Sequence, residues 1–151
     1  MYKKDKVRCV CIFIIGFLIN YIFNLKSISL VNEILTVISI LLGFYITAVS
    51  TLFGSNIIKE YANIKDEKAL SQTMLGTLIK YLKNSVLFAF FTIFVALICA
   101  LFKDKNYLDK FYLKQIISSI LTASTFLSLF LFLLLMKIFF ALFYNEGSKR
   151  R

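Results

Sequence analysis

Four runs of this chain contain no Asp, Glu, Lys or Arg: Cys9 to Leu25, Ile34 to Phe53, Ser85 to Phe102 and Ile116 to Met136. A helix rises about 1.5 Å per residue and a bilayer's hydrocarbon core is about 30 Å thick, so about 20 apolar residues cross it. The second and fourth runs reach that length outright. The first is shorter and carries Asn20 near its far end. Lipid offers no water to backbone polar groups, so each crossing must be helical. No alternating apolar and polar run with turn signals points to a membrane barrel, and strands are not expected. The pattern predicts an all-α polytopic membrane protein: one membrane domain, residues 1–151, with four transmembrane helices at 9–25, 34–53, 85–102 and 116–136.

The connections carry their own pattern. Proline is absent and glycine occurs only at Gly16, Gly43, Gly54, Gly76 and Gly147, so little stops a helix once begun. Between the second and third runs, Ile57, Ile58 and Tyr61 continue one helix, Asn63-Ile64-Lys65-Asp66 breaks it, and Leu70, Met74, Leu75, Leu78 and Leu82 recur at near-helical spacing. This predicts a cytoplasmic helical hairpin over 55–84, with a second arm from Glu67 to Asn84 that either stands upright or lies on the membrane. The loop 103–115 mixes lysines with Tyr107, Phe111 and Tyr112, a combination suited to interfacial anchoring. Residues 137–151 form a tail. Lys137 marks the interface, its ammonium snorkelling outward.

Charge adds an orientation. The net charge is +10. Lys3, Lys4, Lys6 and Arg8 precede the first span, Lys59, Lys65, Lys68, Lys80 and Lys83 lie in the middle connection, and Lys149, Arg150 and Arg151 end the sequence. The other side receives only Lys26, Lys103, Lys105, Lys110 and Lys114. Twelve cations against five place both termini and the hairpin in the cytoplasm. The basic residues therefore read as orientation and attraction to anionic lipid. No zinc-finger spacing, Gly-rich loop or RNA-binding aromatic pattern supports direct nucleic-acid contact. The basic start lacks a small-residue cleavage site after its apolar run, so the first span is expected to remain as an anchor.

Chemistry is sparse. There is no histidine, and Cys9, Cys11 and Cys99 offer neither a disulfide framework nor a metal-ligand set. No acid-base pair, nucleophile elbow or cofactor fingerprint appears, so no catalytic, cofactor or metal site is expected and the protein is not read as an enzyme.

What remains is a set of stripes. Thr36, Ser39, Gly43, Thr47, Ser50 and Gly54 share one face of the second span, Ser85, Ala89, Thr92, Ala96 and Cys99 one face of the third, and Ser118, Thr122 and Thr125 one face of the fourth. Lipid tails are as apolar as leucine, so spans associate through close packing and side-chain hydrogen bonds, which small ridges permit. The stripes predict either seams of a packed four-helix bundle, with Leu131 on a lipid face, or a hydroxyl lining (Thr36, Ser39, Thr47, Ser50) for a path shared by several copies. No charged residue within a span supports a selective filter. Lys59, Lys65, Lys68, Lys80, Lys83, Lys149, Arg150 and Arg151 are the candidates for docking a cytosolic protein.

The size, the Lys-, Ile-, Asn- and Phe-rich composition, the four-span plan and segments such as Leu41-Leu42-Gly43-Phe44-Tyr45-Ile46-Thr47-Ala48 resemble small membrane proteins of bacterial phage-defence loci, in particular the membrane subunit of the Kiwa system. The resemblance implies an inner-membrane homo-oligomer that registers phage infection and works with a cytosolic, DNA-binding partner. It assigns no role to any residue. Three functional expectations stand together: an oligomeric sensor or scaffold that docks a soluble effector, a pore-former such as a depolarising effector or a phage holin, and a small transporter or bacteriocin-immunity protein. The last would require a broken helix or buried charge at mid-membrane, and neither is visible.

Overall fold

A computed structural model describes residues 2–23, 27–54, 65–66, 69–102 and 111–149. Helix α1 runs Lys3–Phe23 and a short 3₁₀ turn, Ser27–Leu30, leads into α2, Val31–Gly54. Strands β1, Lys65–Asp66, and β2, Ala69–Thr73, precede α3, Met74–Phe102, and α4, Phe111–Lys149. All four α-helices are long and apolar enough to cross a membrane. Each expected span lies within one of them, apart from Asn24 and Leu25 of the first, which fall outside the described residues.

The middle connection differs from the expected helical hairpin. Its described part pairs β1 with β2 antiparallel, Lys65 opposite Thr73 and Asp66 opposite Ala69, so the second arm is helical only from Met74. The reason is local. The Thr73 hydroxyl accepts the Gly76 backbone N–H at 3.1 Å, and an N-cap residue holds extended backbone, so the helix starts there rather than at Glu67. From Met74 onward α3 is unbroken. Its 29 residues cover about 43 Å, more than the hydrocarbon core requires, so the arm rises in line with the span.

The helices alternate in direction. Asn20 of α1 meets Ser118 of α4, and Cys9 packs with Leu127 and Leu131, so these two run antiparallel. The contacts of Thr92 with Ser124 and Ser128, and of Leu78 and Ala89 in a cluster with Leu135 and Phe139, give the same relation for α3 and α4. Residues Lys3 and Lys149 therefore lie toward the same end of the bundle.

Side-chain size sets the arrangement. The smooth ridge of α3 receives large groups: Ile38, Leu41 and Tyr45 of α2 share a buried cluster with Ala89, Leu78 and Tyr81. Phe44 of α2 meets Phe132 of α4 edge-on, ring centroids 5.1 Å apart and planes at 82°. A second cluster joins Val31, Ala96, Cys99 and Leu121. On the other side of α4, Cys9, Leu127 and Leu131 pack with Phe13 and Phe130. Leu131, expected on a lipid face, is fully buried there. No Cα of α1 comes within 8 Å of one in α2 or α3 among the described residues. The fourth helix is thus held between α1 on one side and the α2–α3 pair on the other.

Candidate functional site

The ridge of α3 faces inward. Ser85, Ala89, Thr92, Ala96 and Cys99 are all buried, and on α4 Ser118 and Thr122 are buried and Thr125 half-buried. At the middle of this contact the Thr92 hydroxyl, 2.9 Å from the Phe88 carbonyl of its own helix, lies 3.2 Å from the Ser124 carbonyl and 2.9 Å from the Ser128 hydroxyl of α4. Thr125 instead donates to its own helix at Leu121, and the first helix, not the third, takes up Ser118 and Thr122.

That second contact centres on Asn20. Its amide nitrogen donates to the Ser118 carbonyl and hydroxyl, each at 3.2 Å, and to the Thr122 hydroxyl. Gln115 adds a bond to the Tyr21 carbonyl at 2.8 Å. The approach depends on Gly16: a Cβ there would stand 3.1 Å from the Ala123 Cα and 3.3 Å from the Phe126 ring. Asp5, Cys9, Gly16 and Asn20 form the buried face of α1. Sequence reasoning assigned no seam to this helix, although Cys9, Gly16 and Asn20 at steps of seven and four carry the signal.

At the end of the bundle that holds Lys3, the first turn of α1 is tied to the base of α3. The Tyr81 hydroxyl donates to the Asp5 carboxylate and accepts the Tyr2 backbone N–H at 3.2 Å, while Arg8 holds the other Asp5 oxygen at 3.2 Å. A carboxylate that is nearly buried needs such partners, because an unpaired charge away from water is costly.

The stripe of α2 does not join the bundle. Thr36, Ser39, Gly43, Thr47 and Ser50 are exposed, while the helix packs through Val31, Ile38, Leu41, Tyr45 and Ala48 on the opposite side. A Cβ on Gly43 would meet nothing within 4 Å. The expectation that this stripe is a seam of the four-helix bundle is therefore corrected: large residues fill the smooth ridge of α3, which leaves the small face of α2 outside. Its hydroxyls turn back onto their own helix, Thr36 to the Asn32 carbonyl at 2.9 Å, Ser39 to Leu35 at 2.8 Å and Thr47 to Gly43 at 2.7 Å. Thus satisfied, they tolerate lipid. Gly54 ends the helix.

Of the docking cations, Lys80 and Lys83 are exposed on the first turns of α3. Lys65 lies in β1 and Lys149 ends α4, while Lys59, Lys68, Arg150 and Arg151 lie outside the described residues. Among the described residues no three His, Cys, Asp or Glu side chains gather to hold a metal. Comparison with protein-family models, with curated proteins and with solved structures gives no match.

Proposed function

We propose that this chain is a non-enzymatic membrane scaffold that self-associates through the outward face of α2 and offers the base of α3 to a soluble partner. One observation carries the reading: a glycine and hydroxyl stripe, with Thr36, Ser39 and Thr47 already hydrogen-bonded to their own helix, lies on the outside of a bundle whose own seams are filled by other residues. Small residues let two helices approach closely where lipid gives no hydrophobic gain, so such a face suits a second helix. Lys80 and Lys83, exposed near the end of the bundle that holds Lys3, suit an acidic surface on a cytosolic protein. In this reading both termini are cytoplasmic and the membrane is a bacterial inner membrane. The resemblance to the Kiwa membrane subunit supplies the setting, registration of phage infection and docking of an effector.

A second reading follows from the same stripe. If several copies place it around a shared axis, Thr36, Ser39, Thr47 and Ser50 line a weakly selective path. The internal hydrogen bonds of three of these hydroxyls favour dry packing over water, which is why the scaffold reading is preferred. Measuring membrane potential in cells expressing the chain alone, together with its mass in mild detergent, separates the two. A multimer that leaves the potential intact and becomes monomeric with Gly43→Leu is expected of the scaffold. Immediate depolarisation supports the pore, and a wild-type monomer contradicts both. Loss of phage protection with Gly43→Leu in cells that carry the neighbouring genes is the expected outcome for the defence role.

A further inference from the structure

On the face of the bundle formed by α1 and α4, an outward-opening groove of about 450 Å³ is lined only by apolar side chains around Gly16, among them Ile12, Ile15, Phe126 and Leu133. Its shape follows from the close approach at Gly16, which sinks the floor between the larger residues on either side. The lining covers two turns of α1, from Ile12 to Ile19, about 11 Å at 1.5 Å per residue. A groove that opens outward from the bundle and is apolar throughout suits a hydrocarbon chain.

One end of the groove is charged. Arg8 lies one turn before Ile12 on the same face of α1, and Lys137 lies one turn beyond Leu133 on the same face of α4. Because the two helices are antiparallel, both cations stand at the end of the groove nearer Lys3. Lys137 is exposed, and Arg8 keeps 63% of its side chain exposed while Asp5 anchors one of its terminal nitrogens. The carboxylate thus fixes the guanidinium without covering it. One turn of rise, about 5.4 Å, separates the cations from the first apolar residues, which leaves room for a glycerol backbone between a phosphate and its acyl chain.

We propose that this groove binds one anionic phospholipid of the leaflet on the side of the two termini, an acyl chain against Gly16 and the phosphate between Arg8 and Lys137. The site is on the opposite side of α4 from α2, so it stands apart from the self-association reading. Each surface cation contributes about a fivefold factor toward anionic lipid, so the pair gives roughly a 25-fold preference over a zwitterionic lipid with the same chains.

Native mass spectrometry of the full chain in neutral detergent, titrated with dioleoyl phosphatidylglycerol or dioleoyl phosphatidylcholine, tests this. One phosphatidylglycerol is expected to bind with that preference. The preference should fall to about fivefold in Arg8→Gln or Lys137→Gln and vanish in the double variant. Lys83→Gln, at the same end but on α3, should leave it unchanged, millimolar inorganic phosphate should not compete, and Ile15→Trp, which fills the groove, should weaken both lipids. Equal retention of the two lipids overturns the proposal, as does a Lys83→Gln effect matching that of Lys137→Gln. Competition by inorganic phosphate, or a dimer lost with Ile15→Trp, overturns it too, by making the occupant a free anion or a second copy.

Discussion

The Tyr81 hydroxyl donates to the Asp5 carboxylate across 76 residues of sequence, fastening the first turn of α1 to the helix that feeds the third span. Hydrogen bonds to charged groups contribute about 1.5–3 kcal/mol, and losing one here leaves a nearly buried carboxylate with Arg8 alone. Tyr81→Phe is therefore expected to destabilise the detergent-solubilised protein by about 2 kcal/mol, read as a lower midpoint in denaturant titration. No change in midpoint would mean that water replaces the phenol and the tie is superficial.

Tyr45 is the opposite case. Its ring is buried in the α2–α3–α4 cluster, yet its hydroxyl makes no hydrogen bond of ordinary geometry. The Ser85 hydroxyl lies alongside but donates to the Tyr81 carbonyl at 2.9 Å. Removing a buried polar group that lacks a partner relieves a desolvation penalty. Tyr45→Phe is expected to be neutral or to stabilise by up to about 1 kcal/mol in the same titration, the reverse sign to Tyr81→Phe.

Between α1 and α4, Asn20 gathers two hydroxyls and a carbonyl. Interhelical bonds in membranes average about 0.6 kcal/mol each, so Asn20→Ala should cost about 1–2 kcal/mol. The loss should be non-additive with Thr122→Ala, because both variants remove the same bond. Simple additivity in a double-mutant cycle would show that the cluster does not act as a unit.

Gly16 and Gly43 are the contrasting glycines. Gly16→Leu drives a side chain into the Ala123 backbone and Phe126, and should separate α1 from α4 with a clear drop in stability. Gly43→Leu meets open space in the single chain, so its thermal midpoint in monomeric form should match the wild type within error. An unfolded Gly43→Leu chain would contradict the outward placement of the α2 stripe.

The four helices were legible because bilayer thickness imposes a length on every apolar run, and charged residues such as Arg8, Glu33, Lys103 and Lys137 bracket those runs. The inward seam of α3 was legible for a related reason: five small residues at steps of four and three have no other common purpose. For α2 the same rule misleads. A stripe of small residues says that a helix wants a close neighbour, not which one, and here Ile38 and Tyr45 on the opposite face fill the space against Ala89 and Leu78. The seam of α1 escaped notice since Asn20 looked like a flaw in a span; its partners Ser118 and Thr122 are 98 and 102 residues away. Thr73 was likewise hidden, because without proline or a run of glycines only its hydroxyl, three residues before Gly76, marks where α3 begins.

Disulfide crosslinking in native membranes most directly tests whether the outward face of α2 joins two copies. With the exposed Cys11 replaced by Ser and the buried Cys9 and Cys99 retained, single cysteines go in at Ser39 or Thr47, with Phe94 on the exposed side of α3 as the reference. Rapid oxidation to dimer at Ser39→Cys and Thr47→Cys, with little at Phe94→Cys, is the predicted result. Equal or greater dimer yield at Phe94→Cys would contradict it.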